Sequence, residues 1–376
     1  MRMKSLIIVI LIVCLLFSAA VSLNAKDIQI NISGKQIGSG GHRILSLIIE
    51  GMKDTFPDIP IRNLPSTTEV ARCYLGRIGD VDVILENNAI GLLLQNGLEN
   101  FSTIEWGPQP ISYVYVTPNT GMVLATRGDS GIKGYEDLPG RTIAKYPAGP
   151  VNDLNTAALL AFGGISYDDM ETVDFAGPTP AYKAVIEGRL DVCFMNVASA
   201  AAHELMSMPM GGVFLPTPLD NEEGWKRVKE ICPAFFPYES KWVAGQDEPR
   251  GVMSCGYPTF MAWLNVEEDR VYDFLKVLDE SREAWQAKEI ELKDYTMEIN
   301  WEIWEGDLLP MHPGAIKYYK EIGQWTDERE EMNQERLEIQ SKLKSLWDEA
   351  REVAFEEGMP SGDFPEYWNE ILQKEK

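Results

Sequence analysis

Residues 28–52 read IQINISGKQIGSGGHRILSLIIEGM. Ile28, Ile30 and Ile32 alternate with polar residues, the period of a half-buried strand. Gly34, Gly38, Gly40 and Gly41 then interrupt the chain, and residues 44–52 follow with the spacing of an amphipathic helix. A strand that enters a helix through a glycine-rich loop is the repeating unit of an α/β fold. The unit recurs. Residues 59–64 read as a second strand stopped by Pro65-Ser66-Thr67-Thr68. The hydroxyls there can cap a helix that carries Val70, Tyr74 and Leu75 on one apolar face. Residues 81–85 form a third strand, followed by Glu86-Asn87-Asn88 and a short helix.

After Pro118-Asn119-Thr120-Gly121 the pattern restarts with a strand at 122–125, then a second one at 142–144. The loop Pro147-Ala148-Gly149-Pro150 opens a helix at 151–162, and a helix begun by Pro178-Thr179-Pro180 leads into a strand at 190–195. Residues 257–264 make a strand that returns to the first unit, and the remainder is mostly helical. Two α/β lobes joined by two crossings enclose a cleft. Ligands of open α/β sheets bind outside the carboxyl ends of the strands, so the strand-to-helix loops should face it. The expected division is lobe I at 26–123 plus 253–323, lobe II at 124–252, and a C-terminal helical extension at 324–376. In that extension Leu337, Ile339, Leu343, Leu346 and Trp347 lie near helical spacing. They make either a contact surface for a partner or a stripe docked on the chain's own lobe.

The chain has 376 residues, enough for two domains, and 58 acidic against 34 basic residues give a formal charge of −24. Such a surface repels phosphate backbones, which argues against a nucleic-acid partner. Arg2 and Lys4 precede an apolar run from Leu6 to Phe17 and then Ser18-Ala19-Ala20, the pattern of a secretory signal peptide over 1–25. An uncleaved N-terminal anchor is the alternative. Either way the expected compartment is periplasmic. That compartment permits disulfides; Cys232 and Cys255 flank a Pro- and Gly-rich loop and are either bridged or two separate thiols.

The loops carry binding chemistry. Ser39, Gly40, Gly41 and His42 stand between a strand and a helix, where glycines admit a ligand to the backbone and helix-start N–H groups favour an anion. The third glycine of a dinucleotide fingerprint is absent, Arg43 standing in its place, and no phosphate-loop Lys-Ser/Thr follows. Ala148, Gly149 and Asn152 repeat the arrangement in the second lobe. Thr67 and Thr68 offer a third helix start, and Arg72 is either a clamp for a carboxylate or a salt-bridged arginine. Asn87, Asn88, Asn196 and Tyr257 complete the candidate lining. The three histidines have no nucleophile context and no metal motif, so no catalytic residue, metal or cofactor is expected, and the chain is not expected to be an enzyme.

Met311-His312-Pro313-Gly314-Ala315 with Tyr318-Tyr319-Lys320-Glu321-Ile322-Gly323 resembles the C-terminal motif of the TAXI family of TRAP-transporter solute-binding proteins. Gly40-Gly41, Gly79-Asp80-Val81-Asp82, residues 132–141 and residues 181–191 are similar to that family as well, so the resemblance spans about 27–323. It implies a bilobal type II periplasmic-binding-protein fold. It also implies delivery of a small organic anion or amino acid, glutamate- or dicarboxylate-like, to TRAP membrane permease subunits. His42-Arg43 stands where the family carries an aromatic, and Thr67-Thr68-Glu69 where it carries small residues. His312-Pro313-Gly314 reads as a structural helix start. The alternative is an ABC-type or sensor-associated periplasmic binding protein for another small molecule.

Overall fold

The structure, a computed structural model, describes residues 28–37, 39–147 and 149–375. The expected signal peptide at 1–25 and the loop residues Gly38 and Ala148 lie outside the described residues. In chain order the first part holds β1 (Ile30–Lys35), α1 (Gly40–Thr55), β2 (Ile61–Ser66), α2 (Glu69–Arg77), β3 (Val83–Glu86), α3 (Asn88–Asn96) and β4 (Ile111–Pro118). The middle part holds β5 (Met122–Arg127), β6 (Thr142–Lys145), α4 (Pro150–Phe162), β7 (Glu171–Asp174), α5 (Pro178–Ile186) and β8 (Val192–Asn196). It continues with α6 (Ala200–Ser207), β9 (Gly212–Phe214), α7 (Glu222–Ile231), β10 (Phe236–Ser240) and β11 (Arg250–Ser254). The chain then returns through β12 (Gly256–Trp263), α8 (Glu268–Glu280), α9 (Arg282–Gln286), α10 (Met297–Glu305), α11 (Pro313–Glu321), α12 (Asp327–Glu356) and α13 (Phe364–Glu375).

Among the described residues the strands form two sheets, ordered β2-β1-β3-β12-β4 and β10-β11-β5-β8-β6-β7, with β9 beside β5. In the first, β1 runs parallel to β2 and to β3, as helical crossovers require, and β12 is antiparallel to β3 and β4. In the second, β6 is parallel to β7 and β8, while β5 is antiparallel to β8. The chain leaves the first sheet at Pro118, enters the second at Met122, leaves it at Ser254 and rejoins the first at Gly256. The fold is therefore bilobal α/β.

Local differences from the sequence reading have physical causes. Strand β2 continues through Pro65 because it is an edge strand, where a missing N–H costs no ladder bond on the open side. Helix α2 turns the other way. Its buried face is Glu69, Arg72, Cys73 and Gly76, while Tyr74 is exposed and Val70 and Leu75 are half-buried. A concavity of about 420 Å³ on the outer side is lined by Ser66, Thr68, Val70, Ala71, Tyr74, Leu75 and Trp106. The charged face is the inner one because it meets charges of the opposite sign, described below.

The C-terminal extension docks on the first lobe. Trp347, Ala350, Ala354, Phe364 and Trp368 form a small core of their own, with Ile104 against it. The docked stripe of α12 begins with the polar residues Asn333, Arg336 and Gln340, whereas Ile339 is exposed. Those polar groups meet backbone. Gln340 Nε2 donates to the Ile111 carbonyl at 2.6 Å, Asn333 Oδ1 accepts from the Met311 N–H at 2.7 Å, and Arg336 Nη2 donates to the Glu305 carbonyl at 3.1 Å. The outer edge of β4 is covered along its length. The Tyr113 N–H donates to Pro310 O and the His312 N–H to Tyr113 O, each at 2.8 Å, and Val116 N donates to Asn300 Oδ1 at 2.9 Å. An edge strand so covered offers no template for another chain. Cys73, Cys193, Cys232 and Cys255 are all free and buried, so of the two alternatives for Cys232 and Cys255 the structure has separate thiols.

Candidate functional site

The ends of β1, β2 and β3 bring four charged side chains into one buried cluster in the first lobe. Glu86, the last residue of β3, is fully buried and takes both the Lys35 ammonium from the end of β1 and the Arg72 guanidinium from α2. Arg72 is 3% exposed and donates its Nη1 to the Ser66 carbonyl at 2.9 Å. Burial alone would raise the Glu86 carboxyl, but the Arg72 and Lys35 cations outweigh it and hold it below the ordinary carboxylate value. Of its two readings, Arg72 is the salt-bridged arginine.

Glu69 belongs to the same cluster and faces the other way. Its Oε2 accepts from the Val151 N–H at 3.4 Å, across the gap between lobes, on the first turn of α4. Burial pushes the Glu69 carboxyl above its usual value; Lys35 and Arg72 oppose the shift and Glu86 adds to it. The lobe I wall continues with Tyr257, whose ring lies 5.7 Å from the Lys35 ammonium. Gly41 lies directly beneath the Tyr257 hydroxyl, where a Cβ would collide. Ser39 caps α1 by accepting from His42 N at 3.2 Å, and His42 Nδ1 stands 3.4 Å from Asn63 Nδ2. Gly40 is exposed, as are Thr67 and Thr68, the latter capping α2 through Ala71 N at 3.2 Å.

The lobe II wall is the start of α4. Gly149 is its N-cap and Asn152 is half-buried in its first turn. The loop is held from below: the Tyr146 N–H donates to Asp153 Oδ1 at 2.6 Å, and the Tyr167 hydroxyl donates to the same oxygen at 3.2 Å.

Three candidate residues serve the crossings. Asn88 Oδ1 accepts from Gly256 N at 3.0 Å while its Nδ2 donates to Asp307 Oδ2 at 2.7 Å. Asn87 Nδ2 donates to Cys255 Sγ at 3.1 Å. Asn196 Nδ2 donates to Asn119 Oδ1 at 2.6 Å, and its Oδ1 accepts from Thr120 Oγ1 and Ala198 N, both at 3.0 Å. The two crossings are tied to one another as well, since Asn119 N donates to Cys255 O and Ser254 Oγ to Asn119 O, each at 2.9 Å. The sequence reading passed over Lys35, Glu69, Glu86 and Asn119. A carboxylate closing an otherwise apolar strand, as Glu86 does, was the available signal. Among the described residues no group of three His, Cys, Asp or Glu side chains could hold a metal ion, and no helix is long and apolar enough to cross a membrane.

The model of the NMT1-like family matches residues 108–323, more than half of the chain. The chain belongs to the NMT1-like family. The match runs from the start of β4 through the whole second lobe to the end of the His312-Pro313-Gly314 helix region. Solved structures similar to this NMT1-like chain include the periplasmic aliphatic sulphonate binding protein SsuA of Escherichia coli. That likeness is at 15% identity over 86% of this chain and 87% of that one, with a TM-score of 0.46. The alkanesulfonate-binding protein SsuA of Xanthomonas axonopodis pv. citri bound to MOPS is similar at 14% identity over 78% and 90%, TM-score 0.43. Rpa4515 of R. palustris with adipate is similar at 11% identity over 84% and 97%, TM-score 0.45.

Proposed function

We propose that this NMT1-like chain is an extracytoplasmic solute-binding protein that closes its two lobes on a small organic anion or amino acid and presents it to a membrane permease. The observation that carries the reading is the Glu69–Val151 contact, which joins the first residue of α2 in one lobe to the first turn of α4 in the other. The two crossings are pinned together through Asn119, as a hinge for closure would be. Asn152 N and Asp153 N donate to the Gly149 carbonyl, so the Val151 N–H is the amide of this helix start turned outward, where it suits a carboxylate.

The finer reading is a TRAP-type receptor for a glutamate- or dicarboxylate-like solute, supported by the resemblance of Met311–Gly323 to the TAXI motif. It takes the lobes as 26–123 plus 253–323 and 124–252, with 324–376 as an added helical brace and 1–25 as an export signal. The candidate lining on this reading is Ser39, Gly40, Gly41, His42, Thr67, Thr68, Arg72, Asn87, Asn88, Ala148, Gly149, Asn152, Asn196 and Tyr257, of which Arg72, Asn87, Asn88 and Asn196 also bond within the chain. The coding neighbourhood separates the alternatives: genes for large and small TRAP membrane subunits support the TRAP reading, and a nucleotide-binding ATPase supports an ABC-type partner. Denaturing mass spectrometry of the protein purified from its native compartment tests the solute reading. A stoichiometric small acid supports it, and conversion of such an acid to a new product on incubation overturns it in favour of an enzyme.

A further inference from the structure

The amide at the start of α4 already holds a carboxylate, and that carboxylate is the chain's own. Pro150 is the first residue of α4 and has no N–H, so the Val151 amide is the first donor the helix presents to the opposite lobe. Glu69 accepts from it while itself only 8% exposed. The remaining charges of the opposite wall, Lys35 and Arg72 both on Glu86, leave one positive charge that a single carboxylate at this place balances. One buried polar atom on the first turns of this helix makes no hydrogen bond: Asn155 Oδ1, one turn beyond Val151. Such atoms are uncommon in folded proteins and mark places where a polar partner is missing.

We propose that Glu69 is an internal competitor for the solute: its carboxylate occupies the carboxylate subsite at the N-terminus of α4, holds the unliganded lobes together, and leaves when a solute carboxylate takes its place. One amide donor cannot serve both carboxylates, and Lys35, Arg72 and Glu86 together balance one anion and not two. The solute class follows. A ligand lacking a carboxylate, or an equivalent anionic oxygen pair, gains nothing by displacing Glu69. This inference rests on the solute-binding reading above.

The test is amide hydrogen exchange at Val151 in the full chain, for the wild type, Glu69→Ala and Glu69→Gln, with acetate as the probe. Glu69→Ala is expected to speed exchange at Val151 about tenfold, the scale of losing one hydrogen bond to a charged acceptor. Acetate is expected to restore protection in Glu69→Ala at a concentration at least about tenfold below that which affects the wild type. Should Glu69→Ala fail to fold, Glu69→Gln keeps the shape and a neutral acceptor for the Val151 N–H, and is expected to show a smaller acetate response of the same sign. Equal exchange in all three proteins overturns the competitor, and so does acetate that protects neither variant. A solute found by mass spectrometry together with unchanged Val151 exchange overturns this inference alone. The expected exchange pattern in a protein that carries no solute leaves Glu69 as a latch and overturns the solute reading instead.

Discussion

The Asn119 N–H donates to the Cys255 carbonyl at 2.9 Å, and in doing so ties the outgoing crossing between lobes to the returning one. Asn119 sits one residue past β4 and Cys255 one residue before β12, so the bond joins the two crossings where they meet the first sheet. Its companions, Ser254 and Asn196, bond to Asn119 through side chains. A pair of crossings linked in this way bends as one unit.

Asn88 extends that unit into the first lobe, with Gly256 N on its oxygen and Asp307 on its nitrogen. Asn88→Ala removes a donor from a buried carboxylate that otherwise keeps Tyr113 and the Leu308 N–H. The expected cost is about 1–3 kcal/mol, read as a lower urea midpoint. The conservative Asn88→Asp should cost more, because it places a second carboxylate against Asp307.

Glu86 is the shared counter-ion of two cations. Glu86→Gln leaves Arg72 buried with no carboxylate bonded to it, and the expected loss is about 3–5 kcal/mol in denaturant unfolding. The sign with pH follows from the depressed folded value. The wild-type contribution is complete above the ordinary carboxylate range and disappears as pH falls through that range to the lowered value. Glu86→Gln should therefore lose less on acidification than the wild type does.

His312 is fully buried as the N-cap of α11, its Nδ1 accepting from Gly314 N at 3.0 Å. Burial lowers its pKa from 6.5 to about 4. A histidine held neutral in the fold contributes stability above its unfolded value, and that contribution declines as pH falls from 6.5 towards about 4. The total at stake is about 3 kcal/mol. His312→Asn, which keeps a capping oxygen, should flatten this part of the pH–stability curve measured by denaturant titration.

Gly314 stands against the backbone of α8, where an added Cβ would meet the Glu268 carbonyl and the Tyr272 N–H. Neither atom can rotate away. Gly314→Ala should cost about 1–3 kcal/mol by forcing α8 and α11 apart, seen as a drop in Tm with the secondary structure intact.

Much of this fold was legible in residues 28–195, where strand periodicity and glycine- or proline-marked helix starts recur at short intervals. What escaped was governed by partners distant in sequence. The face of α2 was misread because Val70, Tyr74 and Leu75 obey the usual apolar rule, yet Arg72 is drawn inward by Glu86, fourteen residues on. On α12 Leu343 and Trp347 are buried as a docked stripe requires, but Ile339 is exposed and the polar start of the stripe was missed for the same kind of reason. Asn333, Arg336 and Gln340 are buried because the exposed edge of β4 and the helix ends beside it need donors and acceptors, a demand invisible along the helix itself. Asn87, Asn88 and Asn196 look like ligand groups in sequence, since an asparagine after a strand suits either a ligand or a crossing. Only the pairing of β12 with β3 and β4 reveals what stands beside them.

Solute capture is tested most directly by thermal unfolding of the full chain against a panel of mono- and dicarboxylic acids and amino acids. A true ligand at a hundred times its dissociation constant adds about 2.7 kcal/mol of stability, enough to raise Tm by several degrees. At least one carboxylate-bearing member should do so, and more readily in Glu69→Ala than in the wild type. A panel in which every member leaves Tm unchanged in both proteins would contradict the reading of the interlobe face as a binding site.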